Sequence, residues 1–278
     1  MSVVETSRAG DIGIVTLARP PVNAFDVALR RGLLDAIAAI DNDPKAEAIV
    51  VHGRGRGFSA GGDVREFGTP NAMAFPGLSR DVHARIESCR KPVVAAIHGL
   101  CLGGGLETAL ACHWRVSTEQ ARVGLPEVAV GALPLSGTQR MPRLLGLRRS
   151  ADLIASGQIF VANEQPALFD RLVPGDDESS VVDFAIELAR SLAHRNDRLR
   201  LLRDQPVLGV SERQYVADAI DAASTSTVRC ALEAILAACD SAEFDTGLAR
   251  ARELYDAQMA SAEAQARQRE FMSGTRAP

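Results

Sequence analysis

Two short, fully apolar runs each pass directly into a glycine-rich segment. Ala48-Ile49-Val50-Val51-His52 precedes Gly57-Phe58-Ser59-Ala60-Gly61-Gly62-Asp63, and Val93-Val94-Ala95-Ala96-Ile97-His98 precedes Gly99-Leu100-Cys101-Leu102-Gly103-Gly104-Gly105-Leu106-Glu107. Runs of this kind read as strands buried on both faces, which belong to parallel sheets whose connections cross over through helices. The periodicity supplies those helices: Leu29, Leu33, Ile37 and Ile40 recur at helical spacing, and further helices are expected over 79–90 and 104–113. With an N-terminal hairpin around Arg8-Ala9-Gly10-Asp11 and β-rich pieces at 114–116 and 122–125, strand and helix alternate, and the class is α/β.

Beyond about Leu147 the strand signal disappears and helical spacing dominates, as in Val181, Phe184, Ala185, Leu188 and Leu192, then Val228, Leu232, Ile235 and Leu236. The expected organisation is a catalytic core over residues 1–200 and a helical region over 201–278. Residues 244–272 carry few large apolar side chains and are expected to cover a neighbouring surface or extend between subunits.

Composition removes several classes of function. A net charge of −4 with mixed signs, and an aromatic content of 4%, provide neither a basic groove nor stacking platforms, so no nucleic-acid partner is expected. The five cysteines are scattered without a CxxC pair, and Cys112-His113, adjacent on a helix, point about 100° apart; free thiols and no metal are expected. The N-terminus lacks a basic, apolar leader and no segment has the length of a membrane span, which sets the expectation of a cytoplasmic protein.

The first glycine segment admits three motifs. Gly55-Arg56-Gly57-Phe58-Ser59-Ala60 fits a dinucleotide fingerprint, but Gly61-Gly62 interrupt the helix that must open there, and 68–80 lacks the acidic residue that should follow. Gly57-Phe58-Ser59-Ala60-Gly61 fits a nucleophile elbow with Ser59 as nucleophile, yet no acid and histidine follow it in a recognisable order. A plain turn between strand and helix is the third alternative for this segment taken alone.

Both glycine segments taken together, with Gly124-Leu125-Pro126-Glu127-Val128 and Gly137-Thr138-Gln139-Arg140 following in order, resemble the crotonase family, the enoyl-CoA hydratase/isomerase superfamily. The resemblance covers roughly residues 3–173. Pro20-Pro21-Val22-Asn23-Ala24 and Ala121-Arg122-Val123 strengthen a likeness to the hydratase half of multifunctional β-oxidation enzymes, and a stand-alone member is expected. The implied fold is a superhelix of repeated ββα units with a helical C-terminal region, assembled as a homotrimer or dimer of trimers.

The resemblance implies hydration of a trans-2-enoyl-CoA to a 3-hydroxyacyl-CoA, with coenzyme A entering as part of the substrate and no cofactor. The N–H groups of Ala60 and Gly104 are the implied donors to the thioester oxygen, where negative charge develops. Glu107 is implied to activate water and Glu127 to protonate the α-carbon. Gly61, Gly62 and Asp63 complete the implied substrate contacts, and Arg54 and Arg56 flank the turn as cations for the coenzyme A phosphates. The stretch 68–77 is implied to line the acyl pocket, and its Gly and Pro content reads as an adaptable loop.

Pro134-Leu135-Ser136-Gly137 departs from the family pattern, being one residue shorter with a bulky Leu135 near Glu127 in sequence. Two alternatives therefore stand beside hydration. One is a double-bond isomerase, which needs a single base; the other is a catalytically silent protein that binds acyl-CoA.

Overall fold

The computed structural model describes residues 2–66, 69–195 and 199–274. In chain order the elements begin with β1 (Val4–Ala9), β2 (Ile12–Leu17), α1 (Val27–Asn42), β3 (Ala48–Gly53), α2 (Pro70–Glu87), β4 (Val93–Ile97), β5 (Leu100–Leu102), α3 (Gly104–Ala111), β6 (Trp114–Thr118) and β7 (Arg122–Gly124). They continue with α4 (Ser136–Arg140), α5 (Pro142–Leu145), α6 (Leu147–Ser156), β8 (Phe160–Val161), β9 (Arg171–Val173), α7 (Glu178–Ala193), α8 (Arg213–Asp221), α9 (Ser226–Asp240), α10 (Phe244–Met259) and α11 (Ala262–Met272). Contacts gather the chain into two units, Met1–Val123 with Phe160–Leu201, and Gly124–Ile159 with Leu202–Pro278. Each unit thus draws on two separate stretches of sequence, a grouping that one cut after residue 200 does not express.

The first unit is built on a sheet of order β1-β2-β3-β4-β6-β9. β1 and β2 form the expected antiparallel hairpin, and every later pair is parallel. Both faces of the central strands are dry, which explains their unbroken apolar sequence. Val50, Val94, Ala96 and Val116 pack against Val181, Ala185, Ala189 and Leu192 of α7. The alternate positions Ile49, Val51, Val93, Ala95 and Ile97 are equally buried. α1 begins where the Asp26 carboxylate accepts the Leu29 N–H at 2.8 Å, and it buries Leu29, Leu33, Ile37 and Ile40.

Three expectations need correction. α2 starts at Pro70 rather than near Ser79, so the expected loop is helical from that point; Gly68 lies outside the described residues. Proline at the first helical position loses nothing, because that N–H has no intrahelical acceptor. Two strands also lie beyond Leu147: β9 closes an edge of the main sheet beside β6, and β8 pairs with β7. At two and three residues they are too short to generate a periodic signal.

A smaller sheet of order β5-β7-β8 accompanies the first. Bridges from Gly57 to Gly99 and from Ser59 to Cys101 lay residues 57–59 alongside β5. The repeat is therefore a strand of the main sheet, a short strand beside the smaller sheet, then a helix: β3, 57–59 and α2, followed by β4, β5 and α3.

The second unit is helical. α9 packs against α4, α6, α8 and α10. α11, part of the stretch expected to cover a neighbouring surface or extend between subunits, packs inside its own unit on the helical turn Glu127–Val130: Ala264 is fully buried and Arg267 donates to the Val128 carbonyl at 3.2 Å. Leu135 is buried at the start of α4, where its carbonyl accepts the Thr138 hydroxyl at 2.7 Å. No helix among the described residues is long and apolar enough to cross a membrane.

Candidate active site

The site is assembled where β3 and β4 end and the two glycine segments meet. Their close approach demands glycine. A Cβ at Gly57 would fall 2.1 Å from the Leu100 nitrogen, and one at Gly99 would fall 2.3 Å from the Arg56 carbonyl oxygen. Both also have positive φ, +150° and +52°. Four backbone hydrogen bonds stitch the segments together: Leu100 N–H to Arg56 O, Phe58 N–H to His98 O, Ser59 N–H to Leu100 O and Leu102 N–H to Ser59 O.

This stitching decides which amides remain for a ligand. Ala60, expected to supply the first donor, gives its N–H to the Val22 carbonyl at 2.9 Å. Gly61 gives its N–H to the Ser59 hydroxyl at 3.0 Å, and Asp63 gives its N–H to Phe25 O at 3.1 Å. The Gly62 N–H makes no hydrogen bond among the described residues. The Ala60 N–H, expected as the first donor, is therefore spent, and the Gly62 N–H is the one this turn leaves over among the described residues.

Gly104 is the first residue of α3, so its N–H has no intrahelical acceptor, and the partial positive charge of the helix start adds to it. A Cβ built on Gly104 would lie 3.9 Å from the Gly62 nitrogen, in otherwise open space. Two unspent amides from separate turns thus flank one small volume. Glu107 sits on the first turn of the same helix and is buried at 4% exposure. An oxygen that gains negative charge is stabilised by such paired donors.

The remaining expected residues are distributed differently. Asp63 is buried, and its carboxylate faces Arg65 at 2.6 Å and Arg19 at 3.1 Å. The hydrogen bond from Arg65 chiefly holds its pKa below the usual range, so Asp63 anchors the turn as an ion pair. Arg54 is exposed and engages Glu5 through both terminal guanidinium nitrogens, at 2.9 and 2.6 Å. Arg56 is exposed and makes no ion pair among the described residues. Glu127 is half-buried on the helical turn that follows Pro126 in the second unit.

Ser59 is fully buried, donating to Asn23 O at 2.7 Å while accepting from Gly61; its hydroxyl is spent on structure, which removes the nucleophile-elbow reading. The dinucleotide reading also fails, since the next α-helix starts only at Pro70. All five cysteines are free, and no cluster of metal-ligating side chains occurs among the described residues.

Sequence reasoning missed three supports. Asn23, buried with φ +52°, donates to Gly57 O at 2.9 Å and Arg54 O at 3.1 Å. Asp176 accepts the Gly99 N–H and Glu178 accepts the Gly55 N–H, each at 3.0 Å. Asn23 stood in the Pro-Pro-Val-Asn-Ala motif, and its tolerance of positive φ was the available signal.

The chain is similar to known proteins in sequence and in fold. The sequence model described as enoyl-CoA hydratase/isomerase matches residues 7–227. A probable enoyl-CoA hydratase of Bacillus subtilis (strain 168) is 37% identical over 190 residues, covering 66% of this chain and 74% of that protein. The peroxisomal bifunctional enzyme of Danio rerio is 42% identical over 179 residues, 64% of this chain but 24% of that protein, so the match spans about a quarter of that relative. The solved structure of an enoyl-CoA hydratase from Bacillus anthracis superposes with a TM-score of 0.64 at 25% identity, over 98% of this chain and 96% of that one.

Proposed function

The chain belongs to the enoyl-CoA hydratase/isomerase family, and from that premise we propose that it adds water across the double bond of a trans-2-enoyl-CoA to give a 3-hydroxyacyl-CoA. The observation that carries this reading is the pair of unspent amides, Gly62 and Gly104, on facing glycine turns beside the buried Glu107.

The chemistry follows from where charge moves. Water attacking C3 pushes electrons through C2 onto the thioester oxygen, and two fixed N–H donors stabilise that enolate without reorganising. Glu107 takes the proton that water loses. Glu127, assigned by its Leu-Pro-Glu motif, supplies the proton that C2 gains. One water is consumed and no electron donor or acceptor is needed, so coenzyme A takes part only as the carrier of the acyl group. Arg56 is the cation this reading places against the coenzyme A phosphates, because Arg54 is engaged by Glu5. A homotrimer or dimer of trimers, and a cytoplasmic location, belong to the same proposal; light scattering and cell fractionation check them.

The test is the reaction itself, run in heavy water enriched in oxygen-18. Hydration places the oxygen label at C3 and deuterium at C2 of the product. A product with a displaced double bond and no oxygen label assigns the chain to isomerisation, and acyl-CoA binding without turnover assigns it to binding alone.

A further inference from the structure

Ser59 and Asn23 each lie in a segment quoted from the sequence, and hydration as written above uses neither side chain. Asn23 is 1% exposed and Ser59 is fully buried. Together they form a closed relay under the first glycine turn. The Asn23 side chain donates to the carbonyls of Arg54 and Gly57, and the Asn23 backbone carbonyl accepts the Ser59 hydroxyl. That hydroxyl in turn accepts the Gly61 N–H at 3.0 Å. The Asn23 carboxamide oxygen accepts the Arg19 N–H at 2.9 Å, which fixes the orientation of the amide.

The relay accounts for which amide is left over. Among the described residues every N–H from Phe58 to Asp63 has an acceptor except that of Gly62: the acceptors are His98 O, Leu100 O, Val22 O, the Ser59 hydroxyl and Phe25 O. Four of the five are backbone carbonyls. The fifth, for Gly61, is the Ser59 side chain, so one hydroxyl separates a turn with a single unspent donor from a turn with two adjacent ones.

We propose that Ser59, held by Asn23, is a positioning residue for the reaction: by occupying the Gly61 N–H it fixes the peptide planes of the turn so that Gly62 alone presents its donor toward Gly104. This rests on the reading of Gly62 and Gly104 as the thioester-oxygen site. Ser59→Ala keeps the β-carbon that packs near Gly105 and removes only the hydroxyl. The Gly61 N–H then loses its acceptor and the Ala60–Gly61 peptide gains rotational freedom, so the next peptide, which carries the Gly62 N–H, keeps only the anchor that its Gly61 carbonyl makes by accepting the Phe25 N–H at 2.8 Å. A donor misplaced by about 1 Å costs on the order of 10²-fold in rate.

The experiment uses the full chain labelled with 15N-glycine. In Ser59→Ala the Gly61 amide is expected to exchange with solvent at least ~10-fold faster than in the wild type, and the Gly62 resonance is expected to shift. In steady state kcat is expected to fall roughly 10- to 100-fold while KM stays within about threefold, the signature of an interaction made mainly in the transition state. Unchanged Gly61 exchange overturns the proposal. So does a variant that unfolds at lower temperature yet keeps wild-type kcat per folded molecule, because that is a purely structural serine. The exchange measurement needs no substrate; if the wild type does not hydrate enoyl-CoA, the relay is still decided by it while the functional reading fails separately.

Discussion

Gly105→Ala places one methyl group at the crossing of the two glycine turns. An ideal Cβ at this position falls 2.8 Å from the Ser59 β-carbon and 3.0 Å from the Ser59 carbonyl oxygen. Carbon atoms pack at about 3.5–4.0 Å, so α3 and the first turn must separate by roughly 0.7 Å. Ser59 cannot rotate out of the way, since its β-carbon is fixed to the backbone and its hydroxyl is bonded on both sides. Overpacking of this kind costs about 1–3 kcal/mol, while alanine in place of glycine inside a helix returns up to about 1 kcal/mol. The expected net is a loss near 1 kcal/mol, read as a Tm about 2–4 °C lower. Gly77→Ala in α2 is the internal control: a Cβ there meets nothing within 4 Å, so the same substitution is expected to raise Tm. The separation also opens the Gly62 to Gly104 pair, and kcat for hydration is expected to fall roughly 10- to 100-fold. A Gly105→Ala protein as stable as the control, with kcat within twofold of wild type, refutes the claim that the two turns are held in contact.

Glu107→Gln and Glu127→Gln are each expected to lower kcat by roughly 10²- to 10⁴-fold with Tm preserved, the range for a positioned acid or base; near-normal hydration by either variant removes that residue from the mechanism. Gly104→Pro deletes the helix-start donor at a position where proline is tolerated, and a loss of at least ~10²-fold in kcat is expected with acyl-CoA affinity retained, measured by calorimetry. The pH dependence of stability is expected to carry the mark of His113, whose pKa burial pushes down from 6.5 to about 4 and whose Nδ1 accepts the Val93 N–H at 2.9 Å. The unfolded ring binds its proton at higher pH than the folded one, so this contribution is complete above pH 6.5 and is lost as pH falls toward 4. A shift of about 2.5 units corresponds to roughly 3 kcal/mol at most. His113→Asn flattens the Tm profile across that window, and equal slopes in the two proteins contradict it.

The parallel sheet was legible because its strands are buried on both faces and their sequences cannot hide it: 48–52 and 93–98 contain scarcely a polar side chain before their terminal histidines. The glycine turns were legible for a similar reason, since only glycine permits the separations found between Gly57 and Leu100 and between Gly99 and Arg56. Which amide those turns leave free was not. The fate of the Ala60 N–H depends on the Val22 carbonyl, a backbone atom far away in sequence that carries no residue signature. Local composition also misled over 70–77, where proline and glycine suggested a loop but Pro70 opens a helix and Pro76 sits within it. The joining of 124–159 to the C-terminal helices arises from packing of α4 and α6 on α9, which local periodicity does not encode.

If the Gly62 and Gly104 amides together polarise a thioester carbonyl, vibrational spectroscopy of bound ligand detects it without relying on turnover. A 3-hydroxyacyl-CoA or an unreactive acyl-CoA carrying 13C at the thioester carbonyl is measured free and bound by isotope-edited infrared difference. Two fixed donors draw charge onto the oxygen, so the carbonyl stretch of the bound ligand is predicted at lower frequency than in water, with the shift diminished in Gly105→Ala. A bound carbonyl that absorbs at or above its frequency in water contradicts the account, because no pair of donors then acts on it.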